Sequence, residues 1–124
     1  MARLDAILGA AGEPTRLRLL NLLLRGSICV CDLQAVLGLP QPTVSRHLAA
    51  LRHAGLVQDS RVGPRVFYSL ARPATPALRA FRKFLRVAVV EEPALLTDVA
   101  RLRTRVRARS SRAACVLPEG SRAT

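Results

Sequence analysis

Cys29 and Cys31, separated by a single valine in a chain of 124 residues with three cysteines, are the residues whose type and spacing most directly suggest chemistry. Two neighbouring thiols can ligate a soft ion, form a redox couple, or fill core space as small hydrophobes. On an ideal helix they stand about 200° apart around the axis, so their sulfurs diverge and neither chelation nor a disulfide is easy. Chelation becomes feasible if the first turn follows an extended path, where residues i and i+2 face the same way. The third cysteine, Cys115, is a candidate third donor from the C-terminal segment, a place that water or an external thiol could also take.

A second constellation is polar and basic. Gln41, Thr43, Ser45, Arg46 and His47 fall within the first two turns of a helix expected to open at Pro42 and stop at Gly55. Their amide, hydroxyl and guanidinium groups suit base edges in a major groove, with Arg46 the best reader of guanine. Arg52, Arg61 and Arg65 suit phosphates, which set register without reading sequence. The bland alternative is a solvated helix face with His47 packing the turn. The whole set beside a basic hairpin, in a chain of formal net charge +12, favours DNA.

The elements that must position these residues follow from apolar spacing. A first helix carries Leu4, Ile7, Leu8 and Ala11, and Pro14 opens a second with Leu17, Leu20, Leu23 and Leu24 on one stripe. Ser27 is a natural cap for a short third helix burying Val30, Leu33 and Leu37, which would carry the thiols beside the reading helix. Residues 56–70 read as a β-hairpin with its tip at Gly63. A helix from about Pro76 carries Leu78, Phe81, Leu85 and Ala88, and a last one carries Leu95, Val99, Leu102 and Val106. These two stripes predict a seam between two copies of the chain, with folding back on the same subunit as the alternative. Residues 109–124 lack periodicity and predict a flexible tail behind a single domain at 1–108.

Composition agrees. Nineteen of the twenty basic residues are arginine and aromatics are scarce, which predicts a mainly α (α+β) fold with nucleic acid as partner. The sequence has neither a membrane-spanning run nor the pattern of a signal peptide, predicting a cytoplasmic protein with no membrane partner. No phosphate-cradling glycine loop, acid–base carboxylate pair or Cys-x-x-Cys motif points to an enzyme.

Helix, tight turn, helix and basic hairpin describe a winged helix-turn-helix. The stretches QPTVSRHLAALRHAGLV and RVGPRVFYSL resemble the reading helix and wing of the ArsR/SmtB family of metal-responsive repressors, over roughly residues 3–90. With CVCDL at 29–33, the chain resembles the arsenical-responsive branch, in which such a run supplies thiolates to trivalent arsenic or antimony. The resemblance implies a homodimer with terminal dimerisation helices that binds operator DNA without a cofactor and leaves it on binding As(III) or Sb(III). A two-thiol site suits methylarsenite as well as arsenite; cadmium, lead or thiol oxidation is the alternative signal. The best-known arsenic site of this kind has a third cysteine three residues after the second, where this chain has Gln34. The family's other metal site uses Asp and His, and residues 76–90 contain no His, Asp or Glu; His53 reads as a surface residue at a helix end. Thiol loading is expected to distort the third helix and so to push on the reading helix.

Overall fold

A computed structural model describes residues 2–108 and 116–118. The chain runs α1 (Ala2–Ala11), α2 (Pro14–Leu23), β1 (Gly26–Cys29), α3 (Val30–Leu37), α4 (Gln41–His53), β2 (Val57–Val62), β3 (Arg65–Leu70), α5 (Pro76–Ala88), a 3-10 turn (Val89–Glu91), α6 (Pro93–Ala108) and β4 (Val116–Pro118). Capping explains several of these starts. Glu13 accepts the Arg16 amide at 2.8 Å ahead of Pro14, and the Thr75 hydroxyl accepts the Leu78 amide at 3.2 Å ahead of Pro76.

The core is leucine-rich and centred on α2. Leu19, Leu20, Leu22 and Leu23 are all buried, so the C-terminal half of α2 is covered on every side while Arg16 and Arg18 of its first half stay partly exposed. Val44, Leu48 and Leu51 bury the expected face of α4 against it. Even Asn21 is buried, donating from Nδ2 to the Leu95 carbonyl at 3.2 Å.

The strands form one antiparallel sheet in the order β2-β3-β1-β4. The hairpin β2–β3 pairs Val62 with Arg65 across a two-residue loop, where Gly63 at φ 60° takes the first loop position, one that favours glycine. Three expectations change here. The third helix begins at Val30 rather than after Ser27, because residues 26–29 pair with β3 through Ile28↔Tyr68 and Cys29↔Phe67. Leu95, Val99 and Leu102 face α2 and α3 of their own subunit, so the last helix closes the monomer's core and its buried stripe is not a seam between copies. Within the segment expected to be a tail, Val116–Pro118 pairs with β1, setting Val116 opposite Ile28.

Two ion pairs fasten α6. Arg18 grips the buried Asp98 in a fork, with Nε and Nη2 donating at 2.8 and 2.9 Å, and Arg105 Nε donates to the buried Asp32 at the start of α3.

Candidate functional site

The thiols meet where a strand becomes a helix. Cys29 is the last residue of β1 and the cap of α3, with extended backbone at φ −67° and ψ 143°, while Cys31 lies in the first helical turn. One extended residue replaces the helical step that would have parted the side chains, and the sulfurs lie 2.7 Å apart. That exceeds the roughly 2.05 Å of a disulfide bond. The divergence of the sulfurs read from the sequence is therefore absent. Two sulfurs bonded at about 2.3 Å to one ion stand roughly 3–4 Å apart, a small opening from the observed pair.

The two cysteines differ in access. Cys29 is 3% exposed and packs on Phe67, whereas Cys31 is exposed to solvent. Both lie at the start of α3. Among the described residues no group of three or more His, Cys, Asp or Glu side chains gathers to hold a metal. Cys115 lies outside the described residues.

The expected reading residues sit on α4 and the wing. Gln41 and Arg46 are exposed, Thr43 and Ser45 half-buried, and Gln41 Nε2 reaches Ser45 Oγ at 3.3 Å. His47 turns inward instead, with Nδ1 3.3 Å from Arg16 Nη1 and 3.7 Å from Glu13 Oε1, so it braces α4 against the start of α2. Arg61 is exposed and Arg65 half-buried on the hairpin; Arg52 is exposed on α4 and pairs with Asp59 of β2 at 3.6 Å. His53 is exposed at the end of α4.

These groups and the thiols border one space. A groove of about 620 Å³ has Cys29, Cys31, Gln41, Ser45, Arg61 and Arg65 among its lining residues. Tyr68, a buried residue that also lines it, has its hydroxyl pKa raised above the ordinary value, by burial first and by the nearby Asp59 carboxylate second. Sequence reasoning missed Tyr68, and it missed Asp32, whose partner Arg105 lies 73 residues away. The only sequence signal for Asp32 was an acid in a first helical turn.

A helix-turn-helix with a basic wing and no membrane-crossing helix among its described residues defines the class of winged-helix transcriptional regulators. Residues 13–59 match the model of the bacterial regulatory protein arsR family. Over 65 residues the chain is 48% identical to the arsenic resistance transcriptional regulator ArsR1 of Pseudomonas putida, covering 52% of this chain and 50% of that one. Reduced HlyU from Vibrio cholerae superposes with a TM-score of 0.62 at 32% identity, covering 69% of this chain and 87% of HlyU. A homodimeric winged helix-turn-helix DNA-binding domain from Mycobacterium bovis, a possible ArsR-family regulator, superposes at 0.62 with 27% identity, covering 73% and 81%. The chain belongs to the arsR family of bacterial regulatory proteins. It spans about half the length of the first curated relatives it matches.

Proposed function

We infer that this chain is a homodimeric repressor that binds operator DNA and releases it when Cys29 and Cys31 take up trivalent arsenic or antimony, as arsenite, antimonite or methylarsenite. The observation that carries the reading is the pair of sulfurs 2.7 Å apart at the start of the helix packed beside the reading helix. Similarity to an arsenic resistance regulator supports the choice of ion. Arg46 reads guanine with Gln41, Thr43 and Ser45 beside it, while Arg52, Arg61 and Arg65 hold phosphates and His47 sets the angle of α4. The second copy covers the exposed apolar residues Leu4, Leu8, Phe84, Val87, Val90 and Leu96.

Cys115 is proposed as an additional donor. The same sulfur proximity also suits a second signal, oxidation of the pair, and soft cadmium or lead would suit three thiolates.

Equilibrium dialysis with arsenite on the wild type and on Cys29→Ser, Cys31→Ser and Cys115→Ser separates these readings. One arsenic per subunit is expected in the wild type and none in the first two variants, with Cys115→Ser reporting whether a third sulfur contributes. Arsenic uptake unchanged by loss of Cys31 would end the reading, and cadmium or peroxide acting where arsenite does not would replace the signal.

A further inference from the structure

The later turns of α6 lie beside the turn that leads out of α2, and together they enclose a cleft of about 310 Å³ lined by Arg25, Val99, Leu102, Arg103, Val106 and Arg107. Val99 and Leu102 are buried and Val106 half-buried, while the arginines reach solvent, so the cleft is apolar beneath and cationic at its edge. We propose that it binds a medium-chain fatty acid, with the carboxylate between Arg25 and Arg103 and the alkyl chain laid along Val99, Leu102 and Val106. The site uses neither thiol and stands independently of the arsenical reading.

The cations there lack acids. α6 has a single acid, Asp98, which Arg18 holds, and its Arg105 is taken by Asp32. Among the described residues none of Arg25, Arg86, Arg103 and Arg107 forms an ion pair with an acidic side chain. Arg103 and Arg107 stand one helical turn apart on the same face, where like charges repel. Although Arg25 touches solvent, its pKa is lowered, by partial desolvation first and by repulsion from Arg103 and Arg86 next. A carboxylate between these guanidinium groups replaces repulsion with charge-assisted hydrogen bonds. The C-terminal dipole of α6 explains arginines in its last turn, but not Arg25 or Arg86, which lie elsewhere in the chain.

The shape of the bed selects the tail. Val99, Leu102 and Val106 follow at i, i+3 and i+7 on one face of α6, a strip about 10 Å long at roughly 1.5 Å per residue. An extended chain of about eight carbons, with bonds of about 1.5 Å, covers that length. A nucleic-acid backbone would leave the strip bare, and the cleft is turned from the reading surface. Pairing of Ile28 with Tyr68 makes β1 start toward Leu70, the end of β3 away from the hairpin tip. Seating the acid adds a tie between α6 and the end of α2, helices that Arg18 and Asp98 already join.

The test is calorimetric titration of the wild-type chain with octanoate, kept below the concentration at which it forms micelles, beside acetate, which lacks the tail, and octanamide, which lacks the charge. Saturable binding of one octanoate per subunit is expected, with acetate and octanamide each weaker by at least about tenfold. Arg25→Gln and Arg103→Gln should each weaken octanoate roughly five- to tenfold, while the melting temperature of the free chain holds or rises because a repulsion is removed. No saturable octanoate binding would overturn the proposal. Octanamide binding as tightly as octanoate would make the arginines idle, and acetate binding as tightly would make the apolar strip idle; either result overturns it. Octanoate binding left unchanged in both arginine variants would put the ligand elsewhere, on exposed apolar side chains such as Phe84 and Val87, and would overturn the site as well.

Discussion

Cys29 differs from Cys31 by surroundings rather than by chemistry, so replacing each has a different cost. Serine at Cys29 puts a hydroxyl into a buried site against Phe67, and a loss of about 1–2 kcal/mol is expected in urea unfolding. Serine at exposed Cys31 leaves the unfolding midpoint unchanged while removing one of the two proposed donors. Tyr68 offers a direct probe of burial beside the groove because it is the chain's one tyrosine. Its pKa is raised on folding, so the neutral phenol is the form the fold favours. No stability is lost below the unfolded value near 10, and stability falls as pH climbs from there through the folded value. Ultraviolet titration should show phenolate appearing later in the native chain than in urea; coincident curves would contradict a desolvated Tyr68. At this scale the sequence was legible in residue type and illegible in direction. Cys-x-Cys marked a candidate pair, but one extended residue at position 29, which pairs with Phe67, decided that the sulfurs converge.

Elements that depend on local signals were the easiest to foresee. Pro14, Pro42 and Pro76 open their helices as expected, and Gly63 turns the hairpin. Residues 26–29 were misread because Ser27 before an apolar run is also how a helix begins, while their partners Phe67 and Tyr68 lie some forty residues on. Apolar periodicity located α6 but not its partner, since a stripe does not say whether its own subunit or a second one covers it. The answer lay in charged residues: Arg18 holds Asp98 and Arg105 holds Asp32, each pair joining α6 to the helices in front of it. Replacing Arg18 by Met strands a carboxylate that is 1% exposed, and a loss of about 3–5 kcal/mol is expected in chemical denaturation. A loss below about 1 kcal/mol would mean that α6 is fastened by its leucines alone.

For the whole molecule, the charge of +12 governs association more than fold. Arg46 and Arg52 on α4 and Arg61 and Arg65 on the wing predict DNA affinity that falls steeply with salt. Arg61→Ala should lower the slope of log affinity against log salt by about 1 for each phosphate it no longer neutralises, weakening all sequences alike. Arg46→Ala should instead cost about 1–3 kcal/mol at one base pair and relax preference there. Equal losses on specific and random duplexes for Arg46→Ala would assign it to phosphate. The thiol pair and the reading surface bordering one groove ties these properties to a signal. The most direct measurement is anisotropy of a labelled duplex bound to the wild type and to the Cys29→Ser/Cys31→Ser double variant as arsenite is added. Full release from the wild type at about one arsenic per subunit, with the variant still bound, is the predicted result; equal release from both, or from neither, would contradict it.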